Sequence, residues 1–212
     1  MQQNNKHIFK KYYPVKATVV MLLMLVVTSL TLFSFKNEHT FRHDDFFINE
    51  DSVASVKAFM QVYKVLKSPR CLNCHPAGDA PLQGDDSHIH TMNVKRGKDG
   101  NGLYAVKCAN CHQAENIPGM HTPPGNPKWK LPAENMKMVF QGRSAHDLAL
   151  QIMDYNRNGH KNKAQLLEHA TDTLVKSGWH MGEGRTLPPL SYGAFHKAWN
   201  TWLKKGAYAP AG

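Results

Sequence analysis

Apolar positions recur at steps of three and four in several separated stretches, and nowhere do they alternate long enough to predict a substantial sheet. From Asp51, the residues Val53, Val56, Phe59, Met60, Tyr63 and Leu66 mark one amphipathic helix, which Ser68-Pro69 ends. Ser144-Ala145-His146-Asp147 reads as a capping sequence that opens a second helix through Leu148, Leu150, Ile152 and Met153. A third helix is expected from Lys163 to about Thr173. A fourth is capped by Ser191, carries the stripe Phe195, Ala198, Trp199, Trp202 and Leu203, and closes at Gly206. Between these helices the pattern is polar and punctuated. Gly, Asp and Pro dominate from Pro76 to Gly102, and Pro118, Pro123, Pro124, Pro127 and Pro132 interrupt the segment from Gln113 to Pro132. Loops of that length are uncommon unless they wrap something large. The fold class expected is mainly α, with short helices and long loops.

One stretch breaks this rhythm. Ala17 to Phe35 holds no charged residue, and Lys6, Lys10, Lys11 and Lys16 precede it. A basic flank before an apolar run is the layout of an export signal. Its 19 residues are also nearly enough to cross a bilayer, at about 1.5 Å per residue. No clear small-residue cleavage site follows, which favours an uncleaved signal anchor. The chain then divides into residues 1–35 as signal peptide or anchor, 36–50 as a polar tether, and 51–212 as the exported domain. The basic flank keeps the amino terminus in the cytoplasm, so the domain is expected in a bacterial periplasm, held to the inner membrane by residues 17–35.

The candidate chemistry lies in the punctuated region. All four cysteines fall in one pattern written twice, Cys71-Leu72-Asn73-Cys74-His75 and Cys108-Ala109-Asn110-Cys111-His112. C-x-x-C-H is the attachment signature of haem c. One short turn can present two thiols to neighbouring vinyl groups and an imidazole to the iron. Zinc ribbons also repeat C-x-x-C, but they do not require a histidine after each pair. With 13 histidines in 212 residues, two chance histidines at those places have a probability of about 0.4%. Disulfides within each pair would leave the histidines unexplained. Two covalent haems c are therefore expected, supplying much of the core, with His75 and His112 as proximal iron ligands. The sixth ligands are drawn from His88, His90, Met92, His121, Met136, Met138, His169 and Met181. Of these, His169, Met138, His90 and His121 are the leading candidates, and a methionine sulfur would raise the reduction potential relative to a second histidine. The run Asp99-Gly100-Asn101-Gly102 resembles part of a calcium loop but lacks the distal glutamate, so a turn is expected there.

Charge changes the picture little. The formal net charge of +10 includes the four lysines of the leader, and two haems would bring four propionates. Basic residues interleaved with aromatics are missing, so a nucleic-acid partner is not expected; an acidic redox partner is.

The strings SPRCLNCHPAGD, HIHTMNVKRG, CANCHQAENIPGMHTPPGNPKW, MVFQGRS and WLKKGAYAP, taken together, resemble a bacterial family of small exported cytochromes labelled "isoquinoline 1-oxidoreductase subunit". The resemblance runs from about Lys57 to Pro210. It implies service beside a molybdenum hydroxylase whose electrons leave through a cytochrome. No molybdopterin or ferredoxin-type cluster site is recognisable in this chain, and the expected haems use all four cysteines. The expectation is an electron carrier rather than an enzyme, with no catalytic residue of its own. It would pass electrons from a periplasmic or membrane dehydrogenase to the respiratory chain, as a subunit or partner of an oxidoreductase. The alternative is a dihaem enzyme resembling a peroxidase, with one iron left open.

Overall fold

Helix α1 spans Glu50–Leu66, and helix α6, Tyr192–Lys204, lies against it with the opposite polarity. The direction is fixed by three contacts. Lys205 pairs with Asp51 at 2.6 Å, the buried Ser55 hydroxyl donates to the Trp202 carbonyl at 3.0 Å, and Phe59 meets Trp202 at a ring separation of 4.5 Å. Helices α3 (Ala145–Met153) and α4 (Lys163–His169) complete the packing, with the short α2 (Pro69–Leu72) and α5 (Thr173–Ser177) beside them. The computed structural model describes residues 49–212. The expected anchor, 17–35, and most of the tether, 36–50, lie outside the described residues; among those described, no helix is long and apolar enough to cross a membrane.

Each helix begins where its sequence provides a cap. Asn49, Ser144, Asn162, Asp172 and Ser191 all accept a backbone N–H in the first turn, and Pro69 opens α2, where its missing N–H costs nothing. The expected single helix from Lys163 to Thr173 divides at Ala170, because Asp172 caps a new helix through the Leu174 N–H. The face of α1 is also rotated from the expected one. Val53 and Met60 are exposed, while Ser55, Ala58, Phe59, Val62, Val65 and Leu66 face inward. Both stripes satisfy a helical period; the small Ser55 and Ala58 select the second, because they let α6 approach with its bulky Trp202. The stripe of α6 is as expected, with Phe195, Trp199, Trp202 and Leu203 buried.

Among the described residues, sheet is confined to two minimal antiparallel ladders. Strands β1 (Leu82–Gln83) and β2 (His88–Ile89) form one, and β3 (Gly102–Leu103) and β4 (Val106–Lys107) the other. The Asp99 carboxylate accepts the Asn101 N–H at 3.0 Å, which makes the expected turn. The helices bury a core centred on Phe59, Leu148, Ile152, Trp199 and Trp202. The motifs themselves lie in the loop-rich half.

Candidate functional site

The first motif is built on the end of α1. Ser68 caps the turn, the Cys71 and Leu72 N–H groups both bond back to its carbonyl, and the His75 N–H bonds to the Leu72 carbonyl at 3.0 Å. That turn carries Cys71, Cys74 and His75 into the wall of a cavity of about 570 Å³. The volume falls within the about 300–1,000 Å³ usual for small-molecule and cofactor pockets. The rest of the wall is mostly apolar, with Leu66, Leu131, Phe140, Ile152, Phe195 and Trp199 among its members.

The His75 ring is held on two sides. Its Nδ1 lies 2.7 Å from the Met138 carbonyl, and its face stacks on Phe140 at 3.9 Å with planes 12° apart. A carbonyl only accepts, so Nδ1 carries the proton and Nε2 keeps a free lone pair. Burial pushes this imidazole down to about 4, so it is neutral at physiological pH. Segment 138–143 is itself clamped from two helices. Gln151 of α3 donates to the Val139 carbonyl at 3.1 Å, and Lys67 and Tyr63 reach the carbonyls of Phe140 and Arg143. Met138 is left at φ +47°, a left-handed conformation that residues with a Cβ rarely adopt, at the residue whose carbonyl orients the histidine.

The second motif repeats this construction on different scaffolding. Cys108–Asn110 form a 3₁₀ turn, and the Cys111 and His112 N–H groups bond to the Cys108 carbonyl. The His112 Nδ1 lies 2.8 Å from the Pro124 carbonyl, and its ring stacks on Trp129 at 4.2 Å with planes 10° apart. Burial lowers the proton affinity of this imidazole too. Here the clamp is Asn126, whose side chain accepts from the Lys128 N–H and donates to the Thr173 carbonyl, fixing the segment between Pro124 and Trp129. Cys111 is exposed where Cys71, Cys74 and Cys108 are half-buried, so the second site is nearer the surface.

The sites adjoin. Trp129, stacked on His112, also lines the cavity that holds His75. Arg96 ties the surrounding loops together, donating to the Pro132 carbonyl at 2.6 Å and the Gly78 carbonyl at 3.2 Å while almost wholly buried.

None of the four cysteines is joined to another. Burial raises the thiols of Cys71 and Cys74 to about 12 and about 11, and raises Cys108 as well, so they are protonated at neutral pH. A structural zinc site gathers four ligands drawn from cysteine thiolates and histidines. Among the described residues, no three His, Cys, Asp or Glu side chains gather into a group that could hold a metal by themselves.

The candidate sixth ligands separate clearly. His169, at the end of α4, lines the cavity with His75, as do Met136 and Met181. Burial among those walls lowers the proton affinity of His169. Met138 also lines the cavity, but its backbone lies behind His75 and serves it through the carbonyl. His90 lies beside His112, with ring centres 6.4 Å apart. His121 is exposed and packs near Gly184, His88 is paired with Asp86, and Met92 is exposed. The carbonyl acceptors at Met138 and Pro124 and the stacking ring of Phe140 are not among the sequence candidates, and the sequence offers Trp129 only as one of four tryptophans that could line a haem or simply fill the core. Their one sequence signal is an aromatic residue a few positions after a potential acceptor, in a loop that follows a motif.

Comparison of the chain with protein-family models, with curated proteins and with solved structures finds no match.

Proposed function

We propose that this chain is an exported dihaem c-type cytochrome that relays electrons, held at the bacterial inner membrane by residues 17–35. Its donor would be a dehydrogenase of the molybdenum hydroxylase kind implied by the resemblance to the "isoquinoline 1-oxidoreductase subunit" family, and its acceptor a member of the respiratory chain. The observation that carries the reading is the duplicated site. Two C-x-x-C-H turns, on unrelated scaffolding, each tie the histidine Nδ1 to a backbone carbonyl, stack an aromatic ring on the imidazole and leave Nε2 free.

A covalently held haem supplies one-electron exchange between ferric and ferrous iron. The residues of the chain do the rest. Cys71 and Cys74, and likewise Cys108 and Cys111, would each add S–H across one vinyl double bond, a step with no net oxidation. The Nδ1–H bonds to Met138 and Pro124 raise the basicity of His75 and His112 and fix their tautomer. The apolar wall of the first cavity would limit solvation of a haem held there, which would disfavour the extra positive charge of the ferric state. Trp129 belongs to both sites, which supports a reading in which the two centres would lie side by side and exchange electrons directly.

The test is the spectrum of the purified holoprotein. The relay reading predicts two low-spin ferric haems per chain and no binding of carbon monoxide by the reduced native protein. A stable high-spin ferric component with turnover of hydrogen peroxide would overturn it in favour of the peroxidase-like alternative.

A further inference from the structure

We propose that His90 and His112 are the two axial ligands of one haem iron, so that the second centre has bis-histidine coordination. The inference deepens the dihaem reading and rests on it. Two imidazoles bound end-on to opposite faces of a metal have ring centres about 6.3–6.5 Å apart, given metal–nitrogen bonds of about 2.0–2.1 Å and about 1.15 Å from each nitrogen to its ring centre. The observed separation of His90 and His112 is 6.4 Å. The 62° between the ring planes is no obstacle, because each ring is free to take its own rotation about the axial bond.

The hydrogen bonding matches. The His90 Nδ1 is 2.8 Å from the Thr91 carbonyl, just as the His112 Nδ1 is 2.8 Å from the Pro124 carbonyl. Both rings therefore carry the proton on Nδ1 and offer Nε2. His90 is also set by its surroundings. Its N–H bonds to the Pro81 carbonyl at 3.0 Å, extending the β1–β2 ladder, and Gln83 accepts from the next N–H, that of Thr91, at 3.1 Å. Met92 and Asn93 then turn through left-handed conformations at φ +65° and +53°. Backbone strain of that kind persists where the surroundings hold it, and here it begins two residues after the histidine whose ring lies beside that of His112.

The experiment uses the full haem-loaded chain, read by electron paramagnetic resonance and near-infrared magnetic circular dichroism in the ferric state, with haem counted per chain. The wild type is expected to show a bis-histidine low-spin component. His90→Met should convert one haem equivalent to histidine–methionine coordination, with its near-infrared charge-transfer band, at an unchanged count of two haems. His90→Ala should turn one haem of the two high-spin and open it to carbon monoxide, while His121→Ala leaves the spectrum as in the wild type. Two haems without a bis-histidine component in the wild type, or a His90→Met spectrum identical to it, would overturn the assignment and leave the dihaem reading intact. A chain carrying no covalent haem would instead overturn the reading on which the assignment rests. If His90→Ala fails to accumulate, the wild-type and His90→Met spectra decide.

Discussion

Single residues divide between those that hold the fold and those that belong to the site. Ser55 is wholly buried; it donates to the Trp202 carbonyl and accepts the Tyr208 N–H at 3.0 Å, joining α1 to the chain on both sides of the end of α6. Ser55→Ala strands that N–H, at a cost of about 1–3 kcal/mol. A melting curve of the holoprotein should show a loss of several degrees, at about 2–4 °C per kcal/mol for a domain of this size, with the visible spectrum unchanged. Trp129 and Phe140 make a matched pair on the side of the site. Phe140 stacks only on His75, whereas Trp129 stacks on His112 and walls the cavity of His75. Phe140→Leu is therefore expected to shift the potential of one haem, and Trp129→Leu to shift both. A redox titration that moved a single component in Trp129→Leu would contradict the shared wall.

At the scale of elements, loops place the chemistry and helices hold the loops. Gly100 shows how closely two loops meet. It sits at φ +85°, its carbonyl accepts the Leu131 N–H at 3.0 Å, and a Cβ there would collide with the Leu131 carbonyl. Gly100→Ala should lower stability by about 2 kcal/mol or more and disturb the nearby Trp129, while Gly78→Ala, with open space around it and an ordinary φ, should do neither. Thermal unfolding of the two variants side by side checks this. The helices were legible from the chain because caps and stripes are local signals: Ser144 and Ser191 open α3 and α6 where their sequences say. Which stripe of α1 faces inward was not legible, since that depends on Trp202 arriving from 147 residues away. Nor was the break at Asp172, where a cap outweighs a continuing helical pattern.

The two sites differ in depth. The first motif opens into a cavity against the helical core, and the second lies in surface loops. The nearly fully buried Arg96 adds a fixed positive charge that acts on Cys74. Burial and that charge both disfavour ferric iron, so two potentials are expected, with the higher at the first motif. Arg96→Met should lower the higher one selectively in a potentiometric titration. The two C-x-x-C-H turns could be read directly from the chain, because the motif is itself a spacing. The acceptor carbonyls could not, because backbone carbonyls carry no residue identity and they lie 12 and 63 residues from their histidines.

The account rests on one covalent haem at each motif, and the intact mass of the purified chain under denaturing conditions tests that most directly. Produced with a c-type haem maturation system, the chain should carry the added mass of two haems. It should carry one in Cys71→Ala/Cys74→Ala and one in Cys108→Ala/Cys111→Ala. An unmodified mass in a chain that is folded and exported would contradict it.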